Sequence, residues 1–400
     1  MAIIVKKFGG TSVGGNDRIK HVASIIENSL KDNSQLVIVL SAMAGTTNSL
    51  IAKCNDFSEL NTNESLAEYD AAIASGEILS SALLALELQR LGIKSRSLQG
   101  WQLPIETDAK HGNARITHIN TDKIHHLLKK NIVPIITGFQ GLSSGGNITT
   151  LGKGGSDTSA AIITAALRAT QCDIYTDVKG VYTADPRIVH DAQKINEIDA
   201  KQLIEMCHAG AKVLHPRAAV AAMRYGFNLR VLSSFEDNSG TITINKEGKM
   251  EHTKITAITS NKNLLQLIIN HNCNFNQIIN NLLNNNIHIT SFDNKNGALE
   301  IMTEISQNNI CQKALSEMRN NGVIANFKIK SDLASVSIVG YSIKHNSHLI
   351  SQITNCLSDN QIKILSSEIT ELRASIIIND EHTEKAIKAL HEELIQLPKT

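Results

Sequence analysis

The chain has 400 residues, enough for two or three domains that each hold their own core. Its 39 Lys and Arg against 38 Asp and Glu leave a formal net charge of +1, so no general attraction to nucleic acid or to an anionic membrane follows. Aromatic residues make up only 4%, which argues further against a base-stacking role.

Cys54, Cys172, Cys207, Cys273, Cys311 and Cys356 lie far apart, with no C-x-x-C pair and no His at metal-ligand spacing. They read as reduced thiols of a cytosolic protein. The opening MAIIVKKFGG lacks the apolar run and cleavage site of a secretory signal, and no segment reads as the roughly 20 apolar residues of a membrane span. A soluble, cytoplasmic protein is expected.

In chain order, Ala2 to Phe8 is rich in Ile and Val, as a buried strand would be, and ends in Gly9, Gly10, Thr11 and Ser12. Ile19, Val22, Ile25, Ile26 and Leu30 mark an amphipathic helix, and Leu36 to Leu40 a second buried strand, so the chain opens as a βαβ unit. Ser41 to Asn48 (SAMAGTTN) forms the next strand-end loop. Tyr69 to Leu91 is the longest helical run and carries Glu77 among small and apolar residues. A charge in such a setting needs either a salt-bridge partner or a chemical task. Lys94 to Leu98 and Val133 to Thr137 read as further strands, the second closing in Gly138, Phe139, Gln140 and Gly141.

The stretch from Thr149 to Arg187 organises the rest. Glycines 152, 154 and 155 let backbone amides approach an anion, and Ser156 and Asp157 open a helix whose N-terminus favours negative charge. A second polar cluster, Thr176 to Pro186, follows a buried-looking strand, Cys172 to Thr176, with Asp177 at its carboxyl end, where open α/β sheets hold ligands. One Gly-rich turn alone can be a mere connection; two flanking a single βα unit point to a phosphorylated or carboxylated ligand.

Ala200 to Met206 and the segment after Pro216 read as helices, Leu229 to Ser233 and Thr241 to Ile244 as strands. The alternation predicts one mainly parallel sheet covered on both faces, a three-layer α/β/α domain over residues 1–245. Glycine then nearly vanishes and asparagine becomes dense, yet Ile and Leu keep returning at strand and helix periods. The pattern predicts two ferredoxin-like βαββαβ units in tandem, residues 255–330 and 331–400.

Lys7, Lys153 and Lys212 each sit in or beside a Gly-rich turn. Singly, each is readable as a surface lysine with its stem laid on apolar surface. Together, at strand ends of one sheet, they would gather charge for phosphoryl transfer, which needs mostly positioning and charge compensation. No G-x-x-x-x-G-K-[ST] sequence is present, so a P-loop site is not supported.

Six segments occur in one order and resemble the aspartate kinase family: KFGGTS (Lys7 to Ser12), SAM-x-x-TT (Ser41 to Thr47), SGE (Ser75 to Glu77), TLGKGGSD (Thr150 to Asp157), IYTDVKGVYTADPR (Ile174 to Arg187) and GAKVLHPR (Gly210 to Arg217). GWQLPIETD (Gly100 to Asp108) and HGNARI (His111 to Ile116) are similar to it as well. The resemblance implies ATP-dependent phosphorylation of the side-chain carboxylate of L-aspartate to 4-phospho-L-aspartate, the first step toward lysine, diaminopimelate, threonine and methionine. It implies that Lys7 neutralises the transferring phosphoryl group, cradled by the amides of Gly9 and Gly10 beside Ser12. Lys212 would act from the nucleotide side, and Asp157 would orient both lysines. Ser41, Thr47, Glu77, Lys153 and Ser156 would bind aspartate, Glu77 taking its α-ammonium. Thr176, Asp177, Tyr182 and Arg187 would hold ATP, with Mg²⁺ on the ATP phosphates and not in a protein cage.

The family usually has Arg where Lys153 stands, and a point ammonium does not reproduce a planar fork on a carboxylate. Weaker aspartate binding, or another carboxylate substrate, is the consequence to expect. The C-terminal units resemble paired ACT domains, through SVSIVG (Ser335 to Gly340), LSSEIT (Leu365 to Thr370) and KALHEEL (Lys388 to Leu394). That likeness implies a homodimer and a lysine or threonine effector. The loops Asn270 to Asn276 and Tyr341 to Ser347 lack the family's Pro-Gly turn, so weak or lost feedback is expected. A reading from another class, an amino-acid-binding regulator without turnover, is opposed by the presence of Lys7, Asp157, Asp177 and Lys212.

Overall fold

The structure, a computed structural model, describes every residue except 1, 33, 61, 237–238, 245–254, 271–274, 296–297 and 397–400. The chain divides into two compact units: Met1–Tyr182 with Lys194–His208 and Lys212–Gly248, and Thr183–Gln193 with Ala209–Ala211 and Lys249–Thr400.

The first unit runs β1 (Ile3–Phe8), α1 (Asn16–Leu30), β2 (Gln35–Leu40), α2 (Thr46–Asn55), α3 (Asn63–Ile73), α4 (Ser75–Arg90), β3 (Ser95–Leu98), β4 (Ile105–Thr107), β5 (Ile116–Ile119), α5 (Asp122–Lys129), β6 (Val133–Thr137), β7 (Gln140–Ser143) and β8 (Ile148–Thr150). It continues with α6 (Gly155–Ala166), β9 (Gln171–Thr176), β10 (Val181–Tyr182), β11 (Lys194–Ile195), β12 (Glu197–Asp199), α7 (Ala200–His208), α8 (Pro216–Tyr225), β13 (Asn228–Ser233) and β14 (Thr241–Ile244). Eight strands form one sheet, ordered β12-β14-β13-β9-β1-β2-β6-β3. Every neighbouring pair is parallel except β13 with β14.

The central strands are unbroken Ile and Val runs because both faces of the sheet are covered. On one face Phe8, Leu36 and Ile38 pack with Ile26, Leu84 and Leu88 from α1 and α4. On the other, α6 buries Ile163 with Ala160 and Ala161, whose small side chains let the helix lie close to β1 and β9. Successive residues of a strand face opposite sides, so Lys6 and Lys7 part company. Lys6 Nζ lies 3.1 Å from Asp173 Oδ2 and 3.2 Å from Tyr175 Oη, and Arg230 forks onto the same carboxylate at 2.7 and 2.8 Å. This buried cluster ties β1, β9 and β13 together beneath the site.

Two features depart from the sequence pattern. The single helix expected over Tyr69 to Leu91 is two, α3 and α4, which meet at Ala74. By length and composition the run Asn63–Arg90 is apolar enough to cross a membrane. Half of its most apolar window is buried within the fold, and Asp70 and Glu77 on it accept hydrogen bonds from Gly112 and Ala42. A four-stranded sheet, β5-β4-β7-β8, also forms; its strands are three or four residues long, too short for alternation to mark them.

The second unit contains β15 (Ile255–Asn270), α9 (Phe275–Asn284), β16 (Ser291–Lys295), β17 (Ala298–Glu304), α10 (Asn308–Asn320), β18 (Asn326–Gly340), α11 (Ser347–Asp359), β19 (Ser366–Ile369), β20 (Arg373–Asn379) and α12 (Thr383–His391). They build one antiparallel sheet, β16-β17-β15-β18-β20-β19. β15 and β18 pair from Asn270 and Asn326 at one end to Ile255 and Gly340 at the other. The later half of β15 serves one ferredoxin-like unit, while its earlier half is the fourth strand of the other. The two units are therefore interleaved, not consecutive as the tandem pattern predicts. A register shift between Asn261 and Leu264 carries the polar Ser-Asn-Lys-Asn stretch that hides this continuity in the sequence.

Each half has its own core. Leu265, Leu267, Ile278, Leu299 and Leu315 fill one; Ile258, Val336, Ile338, Leu349, Ile376 and Leu390 fill the other, joined by Ala184 and Val189 from the Thr183–Gln193 segment. Interleaving makes a specific prediction. Ile258→Ala should destabilise this unit by about 3 kcal/mol and speed hydrogen exchange in α11 and α12 more than in α9 and α10. Selective loss of protection in α9 and α10 instead would contradict the assignment.

Candidate active site

The strands β1, β2 and β9 end at one edge of the parallel sheet, the edge where such sheets hold ligands. Three strand-end loops and the start of α6 enclose a cavity of about 330 Å³ there. Its walls include Lys7 and Gly10 after β1, Ser41 and Thr47 after β2, Glu77 on α4, and Lys153, Ser156 and Asp157 at α6. Eight of the residues singled out in the sequence thus converge from four separate segments. A larger groove of about 650 Å³ lies along α11 and α12, but exposed polar side chains form most of its wall.

The turn leading into α6 depends on glycine. Gly152 and Gly154 have φ of +76° and +69°, a region other residues enter only with strain. A Cβ on Gly154 would lie 2.5 Å from the His215 ring. Lys153 is held between them, exposed at the cavity rim.

Asp157, in the first turn of α6, places Oδ1 2.6 Å from Lys7 Nζ. Its other oxygen accepts the backbone N–H of His215 at 3.0 Å. Both side chains are nearly buried, where a charge pair is weakly screened and each partner depends on the other. Asp157 engages the segment that carries Lys212, though not the Lys212 ammonium itself, which stands on an exposed turn.

Glu77 is 3% exposed. Its Oε1 accepts the Ala42 amide at 3.0 Å, while Oε2 is buried with no hydrogen-bond partner among the described residues. Burial pushes its pKa up to about 7, against the opposing pull of the Ala42 amide and Lys7. Gly76 makes the placement feasible, since a Cβ there would lie 2.7 Å from that of Ala42. A buried carboxylate oxygen left without a donor is costly until a donor or cation meets it. The thiols of Cys172 and Cys207 are pushed up to about 12 by burial, which leaves neither as a nucleophile. Cys273 lies outside the described residues.

The remaining predicted residues lie outside the cavity wall. The Gly9 N–H donates to Tyr175 O at 3.0 Å, so the β1–β9 ladder already engages the amide expected to cradle phosphate. Ser12 is fully buried and accepts a hydrogen bond from Ser234 Oγ at 2.7 Å; it braces the turn. Thr176 donates to Asp177 Oδ1 at 3.1 Å just past β9, and Tyr182 ends β10. Arg187 lies in the second unit, exposed and forked onto Asp185 at 2.7 and 3.0 Å.

The sequence did not single out Asp70, His215 or Arg217 as contributors. Arg217 Nη1 donates to Leu151 O at 2.9 Å, just ahead of Gly152. His215 and Arg217 stand inside the GAKVLHPR segment, and Asp70 precedes Glu77 by two helical turns; only that spacing marked it.

Comparison with known proteins gives the family. The model of the amino acid kinase family matches residues 2–233, and that of the ACT domain residues 328–392. Over 395 residues, 98% of each chain, the sequence is 44% identical to an aspartokinase of Rickettsia felis. It is 37% identical to an aspartokinase of Geobacillus stearothermophilus over 410 residues, 98% of this chain and 97% of that one. The fold is similar to E. coli aspartokinase III in complex with aspartate and ADP, with a TM-score of 0.84 at 24% identity over 98% and 99% of the two chains. The chain belongs to the amino acid kinase family, and within it to the aspartokinases.

Proposed function

We propose that this protein transfers the γ-phosphoryl group of ATP to the side-chain carboxylate of L-aspartate, forming 4-phospho-L-aspartate for the lysine, diaminopimelate, threonine and methionine branches. The observation that carries the reading is the single cavity in which the unpartnered oxygen of Glu77 shares walls with the Lys7–Asp157 pair and Lys153. The α-ammonium of aspartate fits Glu77, and its α-carboxylate fits Lys153 and Ser156. The side-chain carboxylate is left facing Lys7.

That carboxylate is already ionised at neutral pH, so its attack on the γ-phosphorus needs no general base. A new P–O bond forms as the bond to the ADP oxygen breaks, with charge spread over the equatorial phosphoryl oxygens. Lys7 offsets this charge, with Lys212 arriving from the nucleotide side. Asp157 is occupied by Lys7 and the His215 amide; it orients and does not abstract a proton. In the same reading Thr176, Asp177 and Tyr182 hold ATP, with the Gly10 amide in place of Gly9 at the phosphate. Mg²⁺ carried on the ATP phosphates would supply further charge compensation, the Asp157 carboxylate being already engaged by Lys7 and the His215 amide.

Dimerisation through the ACT-like sheet, a weak or lost response to lysine or threonine, and a cytoplasmic location belong to this reading. Most of the first effector loop, residues 271–274, lies outside the described residues. Lys153 in place of the family's Arg favours a second substrate reading, a different carboxylate acceptor. A hydroxamate assay across aspartate, glutamate and acetylglutamate separates the two, and no product from any of them would leave the non-catalytic regulator.

Two measurements test the substrate side. Glu77 must be ionised to hold an ammonium, so 1/KM for aspartate should fall roughly tenfold per pH unit below about 7. Glu77→Gln should flatten that dependence and raise KM by about 10- to 100-fold; a sloping profile in the variant would remove Glu77 from this role. Lys153→Arg should lower KM for aspartate several-fold, and no improvement would count against a carboxylate contact at this position.

A further inference from the structure

We infer that Asp70 is a positioning residue for the Gly152–Gly155 turn, acting through the Thr150 hydroxyl, the His111 ring and the Gly112 N–H; the inference rests on the aspartate-binding role proposed for that turn. Asp70 is fully buried on α3 and does not line the cavity. Its two oxygens accept the Gly112 N–H at 3.1 and 3.0 Å, lie 2.8 Å from His111 Nδ1 and take the Thr150 hydroxyl. The His111 side chain is itself 2% exposed. A carboxylate so enclosed is sustained only because donors reach it from several sides, and packing α3 would need nothing more than an apolar side chain.

The donors are the chain that carries the turn. Thr150 ends β8 and is followed directly by Leu151 and Gly152. The Ala114 N–H donates to Thr150 O at 2.8 Å, so residues 112–114 run alongside that strand end. Gly112 O lies 3.0 Å from where a Cβ on Gly152 would stand. Arg217 grips both segments from α8, donating to Leu151 O at 2.9 Å and Ala114 O at 3.2 Å. Lys153 thus sits on a backbone flanked by two glycines with positive φ, a chain with little stiffness of its own. Asp70 supplies a fixed anchor two residues upstream, which keeps Lys153 and Ser156 in register with Glu77.

The test uses full-length Asp70→Asn, Thr150→Val and Thr150→Ser, each checked for folding by circular dichroism and size. Asp70→Asn and Thr150→Val should raise KM for aspartate by about 10- to 100-fold, as sub-ångström misplacement of binding groups does. KM for ATP should stay within about twofold, and amides of residues 151–156 should exchange faster with deuterium. Thr150→Ser keeps the hydroxyl donor and should restore both readouts. Unchanged KM and exchange in folded variants would overturn the inference, as would parallel rises in both KM values with loosening across the whole first unit. If Asp70→Asn does not fold, the Thr150→Val and Thr150→Ser pair decides. If the wild-type protein does not phosphorylate aspartate, the functional reading fails, while the exchange pattern still decides the anchoring.

Discussion

The contact on which the site depends is the 2.6 Å pair between Lys7 and Asp157. It joins the central strand of the sheet to the first turn of α6, and through the His215 amide to the segment ahead of α8. None of these three pieces is near another in the chain. The pair is nearly out of water, so neither charge is comfortable without its partner, and the strand, helix and turn are held in one arrangement. The same strand is fixed from below by Lys6, Asp173 and Arg230. Adjacent lysines on one strand therefore do different things: Lys6 pins the sheet, and Lys7 lines the cavity.

The same cavity keeps an unmet demand. Glu77 carries a buried oxygen with no donor among the described residues, and burial pushes its pKa up to about 7. The wall thus carries both signs of charge, this carboxylate and a lysine paired with an aspartate.

Much of this was legible in the sequence. The parallel sheet announced itself through uniformly apolar strands, Val133 to Thr137 being found as read, and the Gly-rich strand ends named most of the cavity wall. What was hidden depends on pairing over distance. The start of Ile255–Asn270 is hidden in the sequence because Ser260 to Asn263 is polar; it is one strand because β18 pairs along its whole length, across the register shift. The Gly9 amide looked free because its partner, Tyr175 O, lies on a strand far along the chain. Asp70 was not singled out on its apolar helix, and only the fold shows its donors at residues 111, 112 and 150.

The most direct test of the central claim is a double-mutant cycle at the pair, read by single-turnover phosphoryl transfer from ATP. If Asp157 acts by holding Lys7, Lys7→Met combined with Asp157→Asn should be no slower than Lys7→Met alone, within about threefold, because residues that act as a unit are not additive. Rate losses that multiply in the double variant would show two independent contributions and contradict the account.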